Sequence, residues 1–111
     1  MIHKMNLQNA PFCKIKEGSK DIEMRLYDEK RKQIQEGDFI EFTNAKNEEK
    51  LIVKVIKLHR FSSFKEIYNS FNKIRLGYNE NEISKPEDME QYYLKEEIKK
   101  NGVVGIEIEL V

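Results

Sequence analysis

Apolar residues recur along this chain with two spacings, and each spacing predicts a different kind of element. Ile22, Met24 and Leu26 fall on every second position between Asp21, Glu23, Arg25 and Tyr27, the alternation of a strand. The first set is expected in the core and the second on the opposite face. The C-terminal VVGIEIELV alternates in the same way, with Val104, Ile106, Ile108 and Leu110 on one face and Glu107 and Glu109 on the other. Phe39, Ile40 and Phe42 around Glu41, the polar stretch Thr43 to Lys50, and then LIVKVIKLHRF predict a hairpin rich in branched residues. Met1 to Leu7 predicts a further short strand.

Spacings of three and four predict helices between these strands. Phe12 and Ile15 face inward on a short helix, with Asn9 as its expected cap, Pro11 in the first turn and Gly18 at its end. Asp28 caps a second short helix that exposes Lys30, Arg31 and Lys32 and turns Ile34 inward, ahead of a turn at Glu36-Gly37-Asp38. Ser62 or Ser63 caps a third, with Phe64, Ile67, Tyr68 and Phe71 on one face. Lys73 to Ser84 predicts a loop or a broken turn. Pro86 then opens one helix over PEDMEQYYLKEEIKKNG, acidic at its start, with Lys99 and Lys100 at its end and Gly102 stopping it. Helices thus interrupt strands without regular βαβ alternation. The expected class is α+β: a small, mostly antiparallel and partly closed sheet with helices packed over its openings.

The 111 residues suit a single domain spanning 1–111. Charged residues reach 36% against 39% hydrophobic, yet the six Phe, five Tyr and many Ile and Leu supply enough apolar surface for a folded core. Twenty Lys and Arg balance twenty Asp and Glu, so no net field draws the chain to nucleic acid or an acidic membrane, and a polyanion has to be met locally. The single Cys13 excludes an internal disulfide, and the start MIHKMNLQ lacks the pattern of a secretory signal. A cytoplasmic location is expected. No apolar run approaches the ~20 residues that span a bilayer, so no membrane partner is expected either. His3, His59 and Cys13 lack metal-ligand spacing, and no phosphate-loop signature is present; no metal or cofactor is implied.

Glu23 and Arg25 share a strand face. Arg25 there presents a planar fork of donors to a phosphate or carboxylate, and Glu23 accepts from a base edge or a ribose hydroxyl; the alternative is an ion pair between the two. Lys20 stands where the helix gives way to the strand. It is either a desolvated base or phosphate ligand, or one solvated lysine among many. Lys54, Lys57, His59 and Arg60 with Phe61 combine basic and aromatic groups as single-strand binders do. Lys54 and Lys57 differ in parity, however, which argues against a joint patch, and Phe61 is expected in the core. Tyr68, Tyr78, Tyr92 and Tyr93 are candidates for base stacking, and the adjacent Tyr92 and Tyr93 have to face different ways.

The set Gly18, Lys20, Glu23 and Arg25, in the form G-x-K-x-x-E-x-R, resembles the signature of the ASCH domain family. So does its continuation through Leu26, Asp28, Lys30, Arg31, Ile34, Gly37, Asp38, Ile40 and Phe42. Tyr92, Tyr93, the Gly102 to Gly105 stretch and the terminal strand are similar to the family's C-terminal part. The resemblance implies a PUA-like β-barrel and a cleft beside it edged by Lys20, Glu23 and Arg25, with RNA, a nucleotide or a nucleoside as partner; Tyr93 is expected to add a ligand contact there. Some relatives resemble amidohydrolases that deacylate a modified cytidine with a Lys, a Thr and a Glu. Lys20 matches the lysine, whereas Glu23 stands where that subfamily carries threonine. An enzyme reading, as such a hydrolase or a ribonuclease, makes Lys20 the base and Glu23 or Glu66 the proton shuttle. A third reading is a protein-interaction module using the charged helices.

Overall fold

The computed structural model describes residues 1–111. Strands β1 (Ile2–Leu7), β2 (Ile22–Leu26), β3 (Phe39–Asn44), β4 (Lys50–Phe61) and β5 (Val103–Leu110) form one sheet in the order β1-β3-β4-β5-β2. β1 pairs with β3 in parallel; the other three pairings are antiparallel. Helices α1 (Asn9–Glu17), α2 (Glu29–Lys32), α3 (Phe64–Ser70), α4 (Glu87–Glu90) and α5 (Lys95–Asn101) are inserted between the strands. The class is α+β, and the sheet curls into a half-barrel. None of these helices is long and apolar enough to cross a membrane.

Two apolar clusters lie on opposite faces of the sheet. The larger gathers Met5, Phe42, Val53, Val55 and Ile106 from the strands and is covered by Phe12 and Ile15 of α1 and by Ile34. The smaller joins Ile22, Met24 and Val103 to Phe64 and Ile67 of α3 and to Leu76. Each such side chain withdrawn from water contributes about 1.5–3 kcal/mol before entropy is counted. β2 is therefore covered on both sides. Register puts Glu23 opposite Ile106 and Arg25 opposite Val104, so these two ions point to the face of the larger cluster, inside the curl of the sheet. Ile22 and Met24 do enter a core, but it is the smaller one.

Several local expectations change. The helix after Pro86 is broken at Gln91–Leu94 into α4 and α5. Met89, Tyr93 and Ile98 all pack on the smaller cluster; a continuous helix turns Ile98, five residues past Tyr93, away from that face. Glu97 Oε1 accepts from the Leu94 N–H at 3.1 Å and starts α5 afresh. Asn9 is the first residue of α1 rather than its cap, which is Gln8. Its Oδ1 instead accepts from the buried Asn44 Nδ2 at 2.9 Å, satisfying an amide that has lost water. Asp28 and Ser63 do cap α2 and α3. Leu110, expected inward, is 45% exposed near the end of β5.

β4 carries a bulge between Val55 and Lys57. Val53 and Val55 face the larger cluster before it and Leu58 packs against that cluster after it, so the inward parity switches. Lys54 and Lys57 consequently share the outer face, against the simple parity argument. They are registered opposite Glu109 and Glu107, so acidic residues alternate with them on that face.

Candidate functional site

Gly18 takes φ +92° and stops α1; the Lys20 N–H then donates to the Lys14 carbonyl at 3.1 Å, fixing the junction into β2. Lys20 ends up only 4% exposed. Its ammonium donates to the carbonyls of Ile22 at 2.8 Å and Leu76 at 2.9 Å and lies 3.3 Å from Glu23 Oε1. Those three partners engage all three of its N–H donors. Gly77, at φ +108°, lies over the lysine stem, and a Cβ built on it falls 3.1 Å from Lys20 Cδ. Both the positive φ and this close approach favour glycine.

Glu23 is itself buried. Its Oε2 accepts from Arg25 Nε at 2.7 Å, and Arg25 Nη2 donates to the Asn6 carbonyl at 2.9 Å. β1 and β2 are the two edges of the sheet, so Arg25 ties one edge to the other across the seam of the half-barrel. Burial disfavours the charged form of Lys20 and lowers its pKa, although Glu23 pulls the other way. Burial alone raises the Glu23 pKa, but Lys20 and Arg25 outweigh it and hold the carboxyl below its ordinary value.

Lys20, Glu23, Arg25 and Tyr93 all line one cleft of about 800 Å³ along this seam. The wall across from β2 is built by the segment between α3 and α5. Tyr93 is half-buried, stacked on Phe64 with centroids 5.8 Å apart and planes 16° from parallel. Tyr92 is 67% exposed, so the two tyrosines differ in environment while lining the same cleft. Tyr68 and Tyr78 line it too, with hydroxyls 2.8 Å apart, and Tyr78 donates to Asp88 Oδ2 at 2.7 Å. Burial raises the pKa of both phenols. The Asp88 contact was not legible beforehand: an acidic residue near a helix start already had a dipole explanation, and nothing in the spacing marks a partner ten residues away.

Other candidates lie apart from the cleft. Glu66 accepts from the Ser62 and Ser63 hydroxyls at the start of α3. The Ser62 hydrogen bond lowers its pKa, and it does not line the cleft. His59 meets Glu107 at 2.9 Å and His3 meets Asp38 at 2.8 Å. Arg60 lies over the Tyr27 ring at 5.5 Å, and Phe61 packs partly buried on the smaller cluster. Arg75 pairs with Asp21 at 2.8 Å and fastens the segment after α3 to the start of β2.

Such a curled five-stranded sheet, with helices over its openings and a polar network in its seam, defines a small domain of the PUA-like kind. The chain belongs to the ASCH domain family, whose model matches residues 5–111. Among solved structures it is similar to the crystal structure of hypothetical protein PH0355, at 40% identity and a TM-score of 0.84 over the full length of both chains. It is also similar to the solution structure of protein PF0455 from Pyrococcus furiosus, at 37% identity and a TM-score of 0.77, covering all of this chain and 98% of that one. No curated protein matches.

Proposed function

We propose that this protein binds RNA or a nucleotide in the seam cleft and works in the cytoplasm. The observation that carries the reading is a buried Lys20–Glu23–Arg25 network facing tyrosines across a cleft of about 800 Å³, within the ~300–1,000 Å³ common for small-ligand sites. Lys20 spends its donors on the protein and positions Glu23, which in turn orients Arg25. The Nη1 group of Arg25, free of the bonds made by Nε and Nη2, is the donor left for a ligand oxygen. Tyr92, exposed at the rim, offers a face for a base, a contact worth about 1–3 kcal/mol. Equal numbers of acidic and basic residues suit recognition of one or two nucleotides, with shallow salt dependence. Membership of a family associated with RNA supports the same reading.

Titration calorimetry with short single-stranded RNA and mononucleotides tests it. Arg25→Ala and Tyr92→Ala are expected to weaken binding by about tenfold or more, the scale of one lost charged hydrogen bond or stack. Undetectable binding by the wild type, or variants that bind as it does, overturns the proposal. The lowered pKa of Lys20 favours one second reading, hydrolysis of an acylated nucleoside or of RNA with Lys20 as base. Turnover by the wild type that is lost in Lys20→Met supports that reading instead.

A further inference from the structure

The charges that line the seam cleft do not suit a phosphate. Lys20 and Arg25 are its two cations, and Glu23, Glu82 and Asp88 its three carboxylates, leaving one formal negative charge. Both cations are already committed to Glu23 at 3.3 and 2.7 Å. The lowered pKa of Lys20 can only make the balance more negative. Nor do the walls supply other cations, since the remaining polar lining groups are amides and phenols such as Gln8, Gln91 and Tyr78. A dianionic phosphate placed here loses its water and meets a negative field.

The same cleft is well furnished for an uncharged heterocycle. Tyr92 and Tyr93 supply aromatic surface, and Asp88 stands in the wall between them and Tyr78 in sequence. The Tyr78 hydroxyl donates to Asp88 Oδ2 at 2.7 Å while accepting from Tyr68, and this chain of hydrogen bonds fixes the carboxylate. Oδ1 makes no hydrogen bond to the protein and is open to an N–H donor.

Resting on the binding function proposed above, we infer that the cleft admits the uncharged part of its ligand, a nucleobase with its ribose, and keeps phosphates outside. Asp88 is the specificity-determining residue: it accepts from an exocyclic amino group and repels phosphate. The unphosphorylated ligand, or an amino-bearing base flipped out of an RNA strand, meets these requirements; a 5′-phosphate carried into the cleft does not.

The test compares the four ribonucleosides with their 5′-monophosphates by calorimetry at pH 7.5, beside short single-stranded RNA. Adenosine, cytidine or guanosine is expected to bind about tenfold more tightly than its own monophosphate at low salt, with the gap closing as added salt shortens the screening length. Uridine, whose one base N–H lies between two carbonyl oxygens that a carboxylate repels, is expected to bind more weakly than the amino-bearing nucleosides. Asp88→Asn, checked for an unchanged melting temperature, is expected to reduce both preferences. Monophosphates that bind as tightly as nucleosides or more so, or RNA binding with no nucleoside binding, overturn this inference and leave the binding function standing. Uridine binding as tightly as the rest removes the assignment of Asp88. If neither RNA nor any nucleoside or nucleotide binds, the underlying function falls and the inference with it.

Discussion

Glu23 shows how far a single residue was readable. Alternation places it and Arg25 on the face opposite Ile22 and Met24, and the structure agrees. What alternation does not say is that both faces are covered. The ion pair and the cleft are therefore not competing alternatives: Glu23 is held between Lys20 and Arg25 and lines the cleft with them. Glu23→Gln leaves two cations without their carboxylate in a buried site, and the expected loss is about 3–5 kcal/mol in denaturant unfolding. A loss of only a few tenths shows that water already solvates the pair. The sign of the pH dependence follows from the lowered folded-state pKa. On acidification the unfolded chain takes up the Glu23 proton first, so the stabilisation is complete above the ordinary value of 4.5 and disappears as pH falls through the lowered one. The difference in melting temperature between wild type and Glu23→Gln is expected to shrink below pH 4.5. Gly77→Ala meets both the positive φ and Lys20 Cδ and is expected to cost about 1–3 kcal/mol by the same measurement.

At the scale of elements, the strands and the helices α1 and α3 followed from spacing, because alternation and repeats of three and four are set by an element's own residues. α2, which buries none of its residues, was marked instead by its Asp28 cap. Two features had neither mark. The β4 bulge leaves no mark in LIVKVIKLHRF, where an extra residue is simply one more branched side chain; it becomes visible only through the registers on either side of it. Removing Ile56 places Leu58 two positions after Val55, so strict alternation keeps Leu58 inward and His59 outward without a bulge. Since the flanking residues keep their faces and Ile56 itself is 38% exposed, the deletion is expected to lower the denaturant midpoint about as little as Ile56→Ala. A far larger loss from the deletion than from Ile56→Ala shows that the strand needs the bulge itself and overturns this account. The break between α4 and α5 was hidden for a related reason. Propensity favours one helix across these residues, whereas Met89, Tyr93 and Ile98 reach a common cluster only if the axis changes direction.

At the scale of the whole molecule, the half-barrel leaves two edges, and Arg25 spans them through the Asn6 carbonyl. Arg25→Met keeps the length of the side chain and removes the bridge. The expected outcome is a loss of about 1.5–3 kcal/mol together with faster amide exchange in β1 than in β4; unchanged exchange in β1 shows that the seam closes without the bridge. The sequence by itself determined the α+β class, the order of most elements and the grouping of Lys20, Glu23 and Arg25, because periodicity and a local signature are properties of neighbours along the chain. Only the tertiary structure decided which face of β2 looks into the barrel, that the tyrosines of the distant 68–93 segment stand across from it, and that Asp88 is fixed by Tyr78. Those relations depend on sheet curvature and on contacts between separated segments, and a one-dimensional pattern contains neither.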